Sequence, residues 1–327
     1  MIFVSRAAVL VSICIATLSH AQQKPQLAGN YPYKPIRVIV GTAPGGGTDI
    51  TARAVAQGLS ERWRHPVVIE NRASGIGGVV GMDIAVKATP DGYTLLVTAY
   101  STVVNATVGN QLPYDVRKVL APVAQFTSQP YALAVTAGLP VATLRELIAY
   151  AKAKPGTLNF GSSGTGSIGH LGMVLFNSMV GTEMTHIPYK STGQALIDLL
   201  GGQIQLVLGS VISVMPQTKT GRIRVIATSS LKHSQLLPEL PTIAESGLPG
   251  FEFIGWYGLF APAGTPQPII NALNHEVVQI LRQPEIQRQL ANDGAEAAAG
   301  SPEVFRERIA RDIDKAVQLV RDKGIKL

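Results

Sequence analysis

Short β-branched apolar runs alternate with stretches of helical periodicity along almost the whole chain. Ile36 to Gly41 is a run of the first kind. Thr48 to Trp63 follows it, with Ile50, Ala54, Val55 and Leu59 at helical spacing. Val67 to Glu70 then predicts a strand, Gly77 to Ala88 a helix and Thr94 to Thr98 a strand. Such alternation predicts an α/β class, with parallel strands joined by crossover helices. The pattern breaks at Leu112 to Pro130, where Pro113, Pro122 and Pro130 predict loop. It resumes with strands at Tyr131–Thr136, Thr157–Phe160, Met184–Ile187, Gln205–Leu208 and Arg224–Thr228. Helices at Leu144–Ala153, Ser167–Val180 and Gln194–Leu200 separate the earlier of these. A second loop-rich stretch, His233 to Gly250, carries Pro238, Pro241 and Pro249. The run GWYGLFAP and two amphipathic helices, Pro268–Leu281 and Pro302–Lys323, complete the chain.

This pattern makes two α/β units and a tail too short to be a third. The tail is expected to pack on the first unit, so the chain crosses between lobes near 125 and near 247. The expected division is 22–125 and 248–327 for one lobe and 126–247 for the other. Two crossings make a hinge, and hinged lobes close on ligands.

The first 21 residues, MIFVSRAAVLVSICIATLSHA, place Arg6 before an apolar run from Ala7 to Leu18 and small residues, Ser19 and Ala21, before a cut. This is the layout of a secretory signal peptide, and the run is shorter than the ~17–20 residues that span a bilayer. Cys14, the only cysteine, lies inside it, and bulky Ile13 before it argues against a lipid anchor. Cleavage takes 21 of 327 residues, leaves 306 and lowers the net charge from +7 to +6. The mature chain has no thiol for a disulfide or thiolate metal site. The expected location is the periplasm of a Gram-negative cell, with no cofactor carried through export. Basic residues such as Arg62, Arg64, Lys118, Lys232 and Arg311 are scattered, which argues against nucleic acid. A mildly positive field favours encounter with anions, and solvated surface charge explains most of these residues equally well.

Two glycine-rich corners follow predicted strands and open predicted helices. Backbone comes close to a ligand at such corners, and a helix start offers unpaired N–H groups with partial positive charge. The first is APGGGTD, where Pro44, Gly45, Gly46, Thr48 and Asp49 are candidates; a purely structural turn explains them as well. The second is GSSGTGSIGH, where Ser162, Ser163, Thr165, Gly166 and Ser167 offer neutral hydroxyl and N–H donors. His170 donates to an anion there, or caps backbone and fills space; the residues leave both open. Other strand ends add Thr98, Tyr100, Ser101, Asn105, Tyr189, Ser191, Gly209 and Ser210, since open α/β sheets bind ligands outside their strands' carboxyl ends.

Several motifs fail. Gly164, Gly166 and Gly169 fit G-x-G-x-x-G, yet Glu183 precedes the next strand instead of ending it, against a dinucleotide site. The esterase pattern ends in Thr165 where glycine is required, and no lysine follows Gly166 as a phosphate loop needs. The six histidines show no metal spacing.

The chain resembles the Bug-type extracytoplasmic solute receptors, the binding subunits linked to tripartite tricarboxylate transporters. The resemblance rests on YPYKPIRVIVGTAPGGGTD, VVIENRASGIGGVVG, ATPDGYTLL, LNFGSSGTGSIGHL, HIPYKSTGQALIDLLGGQIQL, TIAESGLPGFE and GLFAPAGTP. It implies a two-lobe clamshell of the type II periplasmic binding kind, each lobe a mostly parallel sheet flanked by helices. It implies that Pro44, Gly45, Gly46 and Thr48 in one lobe grip a ligand carboxylate with Ser162, Ser163, Thr165, Gly166, Ser167 and His170 in the other. Relatives often carry aspartate where this chain has Gly209, which implies a ligand without an amino group; Tyr100 and Tyr189 would suit an aromatic ring. The expectation is a monomeric, non-enzymatic carboxylate receptor, without cofactor or metal, meeting membrane transporter subunits transiently. The alternatives are a sensor feeding a membrane signalling partner and a hydrolase using a serine of the second corner.

Overall fold

The computed structural model describes residues 31–325 apart from 43, 46, 73–78, 109–112, 190 and 293, and of Asn105 the backbone alone. The expected signal peptide, Gly46 and the start of the helix expected from Gly77 lie outside the described residues. The first part of the chain runs β1 (Ile36–Val40), α1 (Gly47–Trp63), β2 (Val67–Asn71), α2 (Val79–Val86), β3 (Thr94–Ala99), α3 (Tyr100–Val108), α4 (Val116–Val119), β4 (Leu120–Gln125) and β5 (Thr127–Ser128). The middle runs β6 (Tyr131–Thr136), α5 (Leu144–Ala153), β7 (Asn159–Ser162), α6 (Ile168–Val180), β8 (Thr185–Pro188), α7 (Thr192–Leu200), β9 (Leu206–Ser210), α8 (Val211–Thr218) and β10 (Ile223–Thr228). Last come β11 (Tyr257–Pro262), α9 (Gln267–Leu281), α10 (Pro284–Asn292), β12 (Glu296–Ala297) and α11 (Pro302–Lys323).

Two five-stranded sheets form, β2-β1-β3-β11-β4 and β10-β6-β9-β7-β8, and β12 pairs with β5. Both are mixed: four strands run one way, and the reversed one is β11 in the first sheet and β6 in the second. The reversal has a simple cause. β4 and β10 end at the cleft between the sheets, so the strand that follows each crossing starts at the cleft and runs away from it.

Both faces of each sheet are covered, which explains the near-continuous apolar runs. In the first sheet Val38, Val40 and Leu95 pack with Leu59 of α1 and Ile280 of α9. Their neighbours Ile39 and Leu96 face Met82 of α2, Val103 of α3 and Ile313 of α11, because side chains alternate along a strand. In the second sheet Leu133, Phe160 and Leu206 pack with Leu147 of α5 and Phe176 of α6, while Ala132, Ala134 and Val207 face α7 and α8.

The first crossing occupies residues 126–130. The second falls later than the loop-rich stretch suggested: the Phe253 N–H still donates to Ser229 O of the second lobe, and the chain crosses at 254–256. The two crossings bond to each other, Gln129 N to Gly255 O at 2.9 Å and Gly255 N to Gln129 O at 3.0 Å. The segment expected as loop from Leu112 to Pro130 in fact holds β4. Pro122 is tolerated there because β4 is an edge strand and its register with β11 shifts next to Pro122. Helix α8 was obscured in the sequence by Pro216, which it carries inside.

Candidate functional site

A cavity of about 320 Å³ lies between the two sheets. Ala99, Tyr100 and Ser101, at the β3–α3 junction, form one wall. Ser163, Thr165 and Ser167, between β7 and α6, and Ile168, which opens α6, form the opposite one. Gln129, Tyr131, Gly255, Trp256 and Tyr257 of the crossing strands form the floor. No charged side chain is among these lining residues. Two helix starts from opposite lobes therefore face one space, each with first-turn N–H groups that have no partner within the helix. That of Tyr100 is taken by Trp256 O at 2.9 Å, which ties α3 to the second crossing.

The second corner folds as an alternating loop. Ser163 and Thr165 are exposed toward the cavity, whereas Ser162 and Gly166 are buried. Ser167 caps α6, accepting from His170 N at 3.3 Å. Positive φ at Gly164 and Gly166 permits the turn. Behind it, Gly166 N–H donates to His170 Nδ1 at 3.0 Å, and Ser162 Oγ lies 2.7 Å from His186 Nε2. Burial pushes His170 down to about 4, helped by the neighbouring His186, and burial alone pushes His186 down to about 4. His170 thus sits behind the loop, 5% exposed, in the role of cap and filler and not on the cavity wall. Among the described residues the Ser162–His186 contact is the nearest approach to a hydrolase pair. Ser162 is 2% exposed and turned away from the cavity, so that chemistry has no access to substrate.

The first corner is built around Asp49. Its carboxylate accepts from Gly45 N at 2.9 Å, Arg53 Nε at 2.9 Å and Asn71 Nδ2 at 2.8 Å. Burial alone would raise its pKa, but Arg53, Gly45 N–H and Asn71 together hold it below the usual carboxylate range. Asp49 therefore orders the turn, with both of its oxygens engaged. Pro44 and Gly45 are exposed and Thr48 is buried; none of the three lines the cavity in this conformation. Tyr257 links the corner to the cavity, since a Cβ on Gly47 would meet its hydroxyl at 2.6 Å.

The remaining strand-end candidates divide. Tyr100 and Ser101 line the cavity, and Tyr100 packs edge-on against Trp256 and Phe253. Thr98 is buried within β3. Tyr189 donates to Asp198 at 2.7 Å, Ser191 caps α7, and Ser210 bonds Ser213 at 2.8 Å; all three lie outside the lining. Gly209 is also outside it: a Cβ there would meet Val214 at 2.7 Å, so its smallness serves the packing of α8. The floor residues Gln129, Tyr131, Trp256 and Tyr257 were not legible as a site. Their local signal, an apolar run and a proline-flanked segment, is that of ordinary strand ends.

Trp256 is fixed from behind. Its Nε1 donates to Asp312 at 2.9 Å, Asp312 pairs with Arg308 at 2.7 Å, and Arg308 reaches Glu252 at 3.2 Å. This buried network joins α11 to the second crossing.

Two α/β lobes, joined by a paired hinge and enclosing an uncharged, hydroxyl-rich cavity, define a ligand-binding receptor of the clamshell kind. The model of the TctC family, described as "Tripartite tricarboxylate transporter family receptor", matches residues 51–325. The chain is 36% identical over 325 residues to protein BugT of Bordetella pertussis, covering 99% of each chain. An R. palustris protein solved with adipate is 34% identical with TM-score 0.71, over 90% of this chain and 99% of that one. MatC of Rhodopseudomonas palustris, solved with bound malate, is 30% identical with TM-score 0.69, over 89% and 100%. The chain belongs to the tripartite tricarboxylate transporter receptor family, and it is a solute-binding receptor, not an enzyme. Among the described residues no helix is long and apolar enough to cross a membrane.

Proposed function

We propose that this receptor captures a small carboxylate in the periplasm, between its two lobes, and delivers it to the membrane subunits of a tripartite transporter. The observation that carries the reading is the uncharged cavity, where Ser101 faces Ser163, Thr165 and Ser167 across two helix starts. Neutral donors and helix dipoles hold an anion without a strong ion pair, which suits a ligand that must later be released. Closure about residues 126–130 and 254–256 would bring the corner at Pro44, Gly45 and Thr48 toward the same anion and exclude water. Tyr100, Tyr131, Trp256 and Tyr257 offer apolar surface to the carbon skeleton, a chain or a ring. Adipate and malate, bound by the two relatives, fit this description.

No carboxylate side chain is among the described lining residues, so a ligand ammonium group would find no counter-charge there. The preferred ligand therefore lacks an amino group. A thermal-shift screen of the mature protein against mono-, di- and aromatic carboxylates and amino acids tests both points. Ligand at ~100 times its Kd stabilises by about 2.7 kcal/mol, readily visible as a higher Tm. Selective shifts by a group of carboxylates support the reading. Tight aspartate or glutamate binding would refute the amine argument, and no shift by any acid would refute the carboxylate reading.

A further inference from the structure

Beneath the loop after β7 lie two histidines that the carboxylate reading does not use. His170 comes from α6 and His186 from β8, and their rings stack at 3.9 Å and 22°. Phe160, the cross-strand partner of His186, stacks on both. The loop's odd-numbered residues Ser163, Thr165 and Ser167 face the cavity, while Ser162 and Gly166 turn back to the rings.

We propose that His170 and His186 are positioning residues of the ligand site: a neutral, stacked pair that holds Ser162 and Gly166, and so aims Ser163, Thr165 and Ser167 at the ligand. This rests on the cavity being the ligand site. The proton count specifies the pair. Gly166 N–H needs a bare Nδ1 on His170, so that ring carries its proton on Nε2. Ser162 Oγ accepts from Gly164 N at 3.2 Å and lies 3.0 Å from Gly164 O and 2.7 Å from His186 Nε2. With one hydroxyl proton, all three contacts are satisfied only when His186 Nε2–H donates to Oγ and Oγ donates to Gly164 O. Both rings are then Nε2–H tautomers. The bond from Gly166 N–H requires a neutral His170, and burial favours the neutral form of both rings.

Nitrogen-15 NMR of the imidazoles in ligand-free protein reads these tautomers. Two Nε2–H rings at neutral pH are expected; a proton on Nδ1 of His170 overturns the proposal whatever the ligand. Binding is then measured by calorimetry with malate and adipate. His170→Phe and His186→Phe keep a ring in the stack and remove the bonds, whereas His170→Asn and His186→Gln keep a polar group near the lost nitrogen. The Phe variants are expected to weaken binding about tenfold or more, with most of it recovered in the Asn and Gln variants. Folded Phe variants that bind like wild type overturn the proposal, as do Asn and Gln variants that recover nothing. Should a Phe variant fail to fold, the tautomers and the Asn and Gln variants still decide. Wild-type protein that binds no acid in the screen would count against the carboxylate reading, while the tautomers would still decide the positioning role.

Discussion

Gly169 and Gly172 make a matched pair of probes for how closely helix α6 sits on strand β9. A Cβ on Gly169 would lie 2.5 Å from the carbonyl oxygen of Leu208, and a Cβ on Gly172 would lie 2.5 Å from Cδ2 of the same residue. The distances are equal but the obstacles are not. The Leu208 side chain can change rotamer at about 0.5–1.5 kcal/mol. Its carbonyl belongs to the middle of a sheet between β6 and β7 and cannot move alone. Restoring an ordinary 3.4 Å contact from 2.5 Å at Gly169 therefore asks α6 to shift by about 0.9 Å. Overpacking of this kind costs ~1–3 kcal/mol, and alanine returns at most ~1 kcal/mol of helix propensity. Gly169→Ala is expected to lose about 1–2 kcal/mol net, whereas Gly172→Ala should stay within about 0.5 kcal/mol of wild type. The shift would also carry Ser167 and Ile168 off the cavity wall, so Gly169→Ala should weaken ligand binding about tenfold. Urea unfolding gives the first quantity and calorimetric titration the second. Equal unfolding midpoints for the two variants, or unaltered ligand affinity in Gly169→Ala, would refute the close-contact argument.

Three further outcomes are expected. The depressed folded pKa of His170 means the unfolded chain binds more protons between pH 6.5 and about 4, so stability is retained above that window and lost as pH falls through it. His186, stacked on it and lowered over the same window, shares this loss, and urea unfolding across the window should show a shallower decline in His170→Asn; parallel curves would contradict the assignment. Asp49→Ala removes the acceptor for Gly45 N–H, Arg53 and Asn71, and should cost ~1–3 kcal/mol, with weaker ligand binding by calorimetry; a neutral result would mean the first corner does not need its anchor. Asp312→Ala leaves Arg308, 9% exposed, with Glu252 alone and frees the Trp256 indole N–H. A loss of about 3–5 kcal/mol is expected, with altered Trp256 emission in a Trp63→Phe background; unchanged stability would show that the network is not needed by the hinge.

Much of the scaffold was legible because periodicity is a local property. The bounds of Tyr131–Thr136 and Leu144–Ala153 agree with the structure, the approximate helix Pro302–Lys323 is present, and Ser167 appears where the helix after the second corner begins. β4 reads as loop in the sequence because of Pro122 and the prolines that flank it, and its place at a sheet edge makes Pro122 tolerable. In the site, the second corner was legible as alternating small and hydroxyl residues. Local text could not say which of its residues face the cavity. That follows from His170 and His186, which lie on α6 and β8 and meet only in the folded chain.

The amino-acid sequence by itself determined the α/β class, the strand–turn–helix corners and the family. These depend on apolar spacing, glycine placement and short motifs, all of which act within a few residues of chain. The tertiary structure alone decided the reversed strands, the floor of the cavity and the turning inward of Asp49. Each draws on elements apart in sequence: β4 leads to a crossing that pairs with residue 255, and Asp49 adds Asn71, at the end of β2, to its local partners Gly45 and Arg53. The direction of a side chain is set by what packs behind it, and in this receptor local partners such as Gly45 and Arg53 act together with long-range ones such as Asn71 and His186.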